Sequence, residues 1–294
     1  MSKIARVLNI YLPEPMRADA AAGRVNIVNR IVAALGWPVV YHPVEDWARG
    51  EGFSLGLMTE PVRDGQLCLR RAYHYPFWQI EATNERWNFD VAKAAFGEVD
   101  PALARPFYRR WRDKVLGEVT PSRQGFVFMP LQGRLLQHRS FQTMSPVAMI
   151  EATLESEPKR AIKATLHPKE VYLAKELAAL QALERRFSRF QVVTGDAKAL
   201  VMACDYVVTQ NSSVAMTGFF ARKPAVLFAG IDFHHIAGVV ARDGLAGAFA
   251  KAGAEPPDFA GYLYWFFKLH CINGGAPEAE DHIRARLQRH GWPI

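Results

Sequence analysis

DYVVTQNSSVAMTGFFARKPAVLF, residues 205–228, reads as an apolar strand at 206–209, a polar corner of Asn211, Ser212 and Ser213, a helix at 213–222 and a further strand at 225–229. Two strands joined through one helix form a crossover connection, which parallel strands require. At the corner, small polar side chains gather beside the unpaired backbone N–H groups that open a helix. Such a corner favours an anion, a phosphate above all. The same residues would also serve as a plain helix cap.

The alternation continues upstream. It gives a strand at 125–130, a helix at 146–156 with Ser145 as its cap and Pro146 in its first position, a strand at 161–166, a helix at 169–187, a strand at 190–194 and a helix at 197–204. Short connections between alternating elements predict a parallel, doubly wound sheet. The first half repeats the pattern more loosely, with a strand at 6–11, a helix at 25–35 ended by Gly36, and a strand at 38–41. Residues 52–97, including the aromatic run AYHYPFWQIEATNERWNF, read as loops, and a basic helix follows at 106–116. The expected fold class is α/β, with two Rossmann-like domains facing across a cleft, residues 1–145 and 146–294. Ligands would sit at the C-terminal ends of the strands.

Composition agrees with a globular chain. Half of the 294 residues are hydrophobic, enough to build a full core. The 36 Lys and Arg against 29 Asp and Glu leave a net charge of +7, which favours anionic partners without choosing among them. Cys68, Cys204 and Cys271 are scattered and form no CxxC pair, which disfavours a disulfide scaffold and structural zinc. The opening MSKIARVLNIYLP holds too short an apolar run for a signal-peptide core or a spanning helix, so a cytoplasmic protein is expected. The run YLYWFF, residues 262–267, reads as an apolar helix face packed at the domain junction, or, if exposed, as a foot on a membrane surface.

A second motif, IKATLHPKE at 162–170, ends a strand on His167 and Pro168, with Lys163 four residues earlier. Proline stops the strand, so His167 projects from its C-terminal end, where it can donate to a phosphate and assist a leaving group. A histidine at a strand end also occurs simply as a surface residue.

Taken in order, PLQ at 130–132, KxxLHP at 163–168, DYVVTQNSSV and KPAVLFAG resemble the capsule polysaccharide biosynthesis family of bacterial glycosyltransferases, which includes the β-Kdo transferases. The resemblance spans about residues 70–270. It implies a GT-B fold with an acceptor-side N-terminal domain and a nucleotide-sugar-binding C-terminal domain. It further implies a CMP-linked donor such as CMP-Kdo, no metal or other cofactor, and transfer to a glycan or glycolipid acceptor. His167 would contact the nucleotide phosphate, with Lys163, Pro168, Asn211, Ser212 and Ser213 in the same site and Gln132 in the cleft.

The chain departs from the family where an aspartate should follow PLQ. The run PLQGRLLQHRSFQTMSP contains no acid between Gln132 and Ser145. Glu151 or His138 takes the catalytic role, an acid from another segment supplies it, or the protein acts on a different sugar or does not catalyse.

Two further features remain. In AGIDFHHIAG, His234 and His235 stand near Asp232, and adjacent side chains of an extended segment point to opposite sides, so one histidine is expected in the cleft and no metal site. Arg109, Arg110, Arg112 and Lys114, with Arg284, Arg286, Arg289 and His290, form a solvated basic face, or one that meets anionic headgroups in a peripheral inner-membrane contact or a phosphorylated acceptor. A glycosyltransferase of surface polysaccharide is the leading expectation, and a non-catalytic GT-B-like scaffold of polysaccharide assembly or export is the alternative. Nucleic acid is not expected as a partner, because no basic stripe with interleaved aromatics is present.

Overall fold

A computed structural model describes residues 6–294; the opening residues 1–5 of the MSKIARVLNIYLP segment lie outside them. The chain runs β1 (Leu8–Leu12), α1 (Met16–Ala21), α2 (Asn26–Leu35), β2 (Val39–Pro43), β3 (Ser54–Leu57), β4 (Gln66–Arg71), β5 (Phe77–Glu81), α3 (Asp90–Lys93) and α4 (Pro101–Leu116). It continues through β6 (Phe126–Leu131), α5 (Pro146–Ser156), β7 (Ala161–Leu166), α6 (Ala174–Arg186), β8 (Phe190–Val192), α7 (Ala197–Ala203), β9 (Tyr206–Thr209) and α8 (Val214–Phe220). The last elements are β10 (Ala225–Leu227), β11 (Gly238–Val239), α9 (Val240–Gly253), α10 (Phe259–Tyr264), β12 (Ile272–Asn273) and α11 (Ala279–Arg289).

Two compact α/β units result. The first comprises residues 6–94 and 265–294, the second residues 95–264. The expected boundary at 145/146 falls inside the second unit, between β6 and α5. It cannot be a boundary because β6 pairs with β7 and with β9, both of which lie beyond it. The C-terminal residues return to the first unit instead, where β12 pairs antiparallel with β5 and α11 packs against α2.

The first unit has a six-stranded sheet in the order β12-β5-β4-β3-β1-β2, parallel from β4 to β2 and antiparallel at β5 and β12. Ile27, Val28, Ile31 and Leu35 form one stripe of α2 and pack onto Leu8, Ile10 and Leu12 of β1. Gly36, at φ 62°, ends α2 in the left-handed region that a side chain disfavours. Residues 52–97 are not loops: they contain β3, β4 and β5. Every residue of β5 is buried, as are the first four of β4, so neither strand shows the alternation that marks a one-sided strand.

The second unit has an all-parallel sheet in the order β11-β10-β9-β6-β7-β8. β6 (FVFMPL) lies at its centre with all six residues buried, as a strand covered on both faces should be. α5, β7 and β9 occupy the spans read from sequence. The Ser145 hydroxyl accepts the Ala148 N–H at 3.2 Å and caps α5. Ser145→Ala is expected to cost about 1 kcal/mol, read as a lower thermal-unfolding midpoint with the fold retained.

The YLYWFF run crosses from the second unit to the first. Tyr262, Leu263, Trp265, Phe266 and Phe267 are all buried. Tyr262 packs on Phe219 in the second unit and Phe267 on Phe77 in the first. The run therefore presents no apolar face for a membrane. Among the described residues no helix is long and apolar enough to cross one. Burial pushes the Cys68 and Cys204 thiols up to about 12, which removes them as nucleophiles.

Candidate functional site

A cavity of about 530 Å³ opens at the C-terminal ends of β6, β7, β8 and β9. It brings together Gln132 from the end of β6, His167 and Pro168 from the end of β7, and Ser212 from the corner after β9. Four strands that run parallel end at one edge, so side chains distant in sequence meet there.

The surroundings fix each group. The backbone N–H of Lys169 donates to His167 Nδ1 at 3.2 Å. With Nδ1 accepting, the neutral ring carries its proton on Nε2 and is a donor at its outer end. The His167 N–H itself donates to the Tyr172 hydroxyl at 3.0 Å. Burial pushes the Tyr172 phenol up and the neighbouring Glu170 carboxylate adds to it, so the hydroxyl keeps its proton. Gln132 donates from Nε2 to Asn211 Oδ1 at 2.9 Å, and Asn211 donates to the Gly230 carbonyl at 3.4 Å. Thr209 joins strand ends: its hydroxyl donates to the Pro130 carbonyl at 3.2 Å and accepts the Ser212 N–H at 3.4 Å. Ser212 Oγ accepts the Val214 N–H at 3.4 Å. Ser213 is exposed and makes no side-chain cap, and α8 is shorter than read from sequence, beginning at Val214 and ending at Phe220. Ser212, not Ser213, is the hydroxyl at the cavity.

Other expected site residues lie elsewhere. Lys163 stands four residues before His167, roughly 13 Å back along the strand, with its ammonium 4.3 Å from the centre of the Phe126 ring at the start of β6. Glu151 is on the exposed side of α5, 3.5 Å from Arg186. His138 is exposed and donates from Nε2 to the Gln142 carbonyl at 2.7 Å, holding the loop after β6 in shape. His234 and His235 do not diverge: their rings stack at 4.2 Å because residues 231–237 are a series of turns rather than an extended strand. His235 Nδ1 meets the Tyr262 hydroxyl at 3.1 Å, and neither ring lines the cavity.

Residues not singled out from sequence organise the loop after PLQ. The Gly133 N–H donates to the Glu170 carboxylate. Glu176 is buried; it accepts the Leu135 N–H at 2.6 Å and the Leu173 N–H at 2.8 Å. Gly133 sits at φ 71° with the Arg139 guanidinium 2.6 Å from where a Cβ would stand. An acid from another segment, Glu170, thus reaches the backbone directly after PLQ.

Among the described residues, Glu81, Asp90 and His290 are the one set of three possible ligands whose atoms lie within 4.8 Å of one another. Arg286 pairs with Glu81 at 2.8 Å and Arg289 with Asp90 at 3.2 Å, so arginines already supply the positive charge a metal would bring.

No family model matches the sequence, and no curated protein does. Solved structures do match. The β-Kdo 2,7 transferase of Thermosulfurimonas dismutans KpsC superposes with a TM-score of 0.56 at 14% identity, over 96% of this chain and 99% of that one. The fold matches that of a β-Kdo transferase. The β-Kdo 2,4 transferase of the same KpsC gives a TM-score of 0.51 at 14% identity, over 95% of this chain and 98% of that one. The likeness seen in a few motifs therefore extends through both α/β units. At this identity it is a likeness of fold.

Proposed function

We propose that the protein is a glycosyltransferase of surface-polysaccharide assembly that takes a nucleotide-activated acidic sugar, CMP-Kdo, and transfers it to a glycan or glycolipid. The observation that carries this reading is the meeting of Gln132, His167 and Ser212 in one cavity at the strand ends, in a fold shared with β-Kdo transferases.

In the reaction, the bond from the anomeric carbon to the phosphate oxygen breaks and CMP leaves with the electron pair, while the acceptor oxygen bonds to that carbon. The outer N–H of His167 and the Ser212 hydroxyl donate to the phosphate, which spreads the charge of the leaving group. The acceptor proton passes to a carboxylate, and we assign that role to Glu170, whose place beside Gly133 is where the family resemblance calls for an acid. Glu170→Gln should lower turnover far more than Glu151→Gln or His138→Gln, since Glu170 alone of the three bonds to the backbone next to Gln132, whereas Glu151 pairs with Arg186 and His138 with the Gln142 carbonyl.

The deciding experiment is calorimetric titration with CMP, CDP, UDP and GDP, followed by assay of CMP-Kdo turnover, both with and without EDTA. Selective CMP binding and equal turnover under chelation are expected. Preference for another nucleotide overturns the donor, and activity lost to EDTA and restored by a divalent cation overturns metal independence. CMP binding with neither transfer nor donor hydrolysis would favour a non-catalytic scaffold.

A further inference from the structure

A larger cavity, about 910 Å³, lies at the other end of the same sheet. Its walls are α4, the loop at 120–123 that enters β6, and the turn at 220–223 that enters β10, so it stands at the N-terminal ends of these strands. Six cationic side chains line it: Arg105, Arg109, Arg112, Arg123, Arg222 and Lys223. The first three recur at i, i+4 and i+7 and share one face of α4.

The charge has no carboxylate in contact with it: Asp205, which acts on Lys223 from farther off, is already bonded to Arg160 and to the Gly125 N–H. Among the described residues no ion pair joins any of the six to a carboxylate. Arg112 Nε is buried with no hydrogen-bond partner. Lys223 is 2% exposed and donates to a neutral acceptor, the Ser122 carbonyl, although its ammonium has three donors. Burying charge without a counter-charge is costly, and so is crowding like charges. The walls are nevertheless held in place. The Tyr108 hydroxyl donates to the Phe220 carbonyl at 2.7 Å, and the N–H groups of Ser122 and Gln124 donate to the Met202 and Ala203 carbonyls at 2.9 and 3.0 Å.

We propose that this cavity is a second anion site, which takes a ligand bearing a phosphate group with two or more negative charges. Guanidinium forks match phosphate oxygens in pairs, and several forks around one concavity suit a compact, highly charged group. An extended nucleic acid would call for a stripe instead. The inference does not depend on the nucleotide reading, because the two cavities lie at opposite ends of the sheet. A free phosphate ester and a phospholipid headgroup share this chemistry.

The test compares two double variants of α4 with equal charge loss. Arg105→Ala/Arg109→Ala alters the cavity wall, whereas Arg110→Ala/Lys114→Ala alters exposed residues outside it. One arm titrates inorganic pyrophosphate by calorimetry. The other floats the protein on vesicles of phosphatidylcholine and phosphatidic acid at about four to one, with pure phosphatidylcholine as control. We expect the cavity pair to lose about tenfold or more in affinity, as when charge-assisted bonds are removed, and the outside pair to stay near wild type. Selective loss in the pyrophosphate arm identifies a soluble ester, and selective loss in the vesicle arm alone identifies a headgroup. Binding to neither probe, equal loss in both pairs, or loss in neither overturns the site.

Discussion

His167→Ala is expected to weaken CMP binding by about 1.5 to 3 kcal/mol, roughly tenfold to 150-fold, the range for a hydrogen bond to a charged group. His167 is exposed at the cavity edge, and its ring accepts one bond, from the Lys169 N–H, which water can replace after truncation. The unfolding midpoint should therefore barely move while affinity falls, which separates a binding role from a structural one. His167→Gln restores a side-chain N–H donor without the ring and should fall between wild type and alanine. Titration at constant salt reads all three, and a folded alanine variant with unchanged CMP affinity removes His167 from the phosphate site.

What could be read from sequence follows a physical division. Residues 146–156, 161–166 and 206–209 were legible because each is an apolar run closed by a local signal: Ser145 and Pro146 opening the helix, His167 and Pro168 closing the strand, and Gln210 to Ser213 forming a polar corner. β4 and β5 were hidden for the opposite reason, since burial on both faces erases alternation and the aromatic residues around them resemble a loop in composition. The site divides the same way. That His167 and Ser212 share one sheet edge was legible because strand ends can be located from the chain alone, whereas Gln132 was placed beside them only by the family resemblance. Glu170 and Glu176 were missed because their partners are backbone N–H groups at Gly133 and Leu135, and no side-chain spacing records a bond to a distant backbone. Lys163 misled because the motif reads as one unit, while a strand carries residues four apart to different ends of the sheet.

Glu176→Ala should cost about 2 to 4 kcal/mol of stability, because it strands two backbone donors at once. The carboxylate is 4% exposed and has one oxygen on Leu135 N and the other on Leu173 N, so it closes the first turn of α6 and pins the loop that follows β6. With alanine there, neither N–H regains a protein partner, and the Leu135 amide is left beside a side chain with no exposure at all. Glu176→Gln keeps one acceptor but turns an NH₂ toward the second N–H, so it should lose less than alanine and more than nothing. Glu151→Ala supplies the contrast, since an exposed pair at 3.5 Å is worth well under about 1 kcal/mol. Urea unfolding of the three variants orders them. If Glu176→Ala were no less stable than Glu151→Ala, the loop would be held by its apolar contacts at Leu135, and Glu176 would not be the residue that shapes this edge of the cavity.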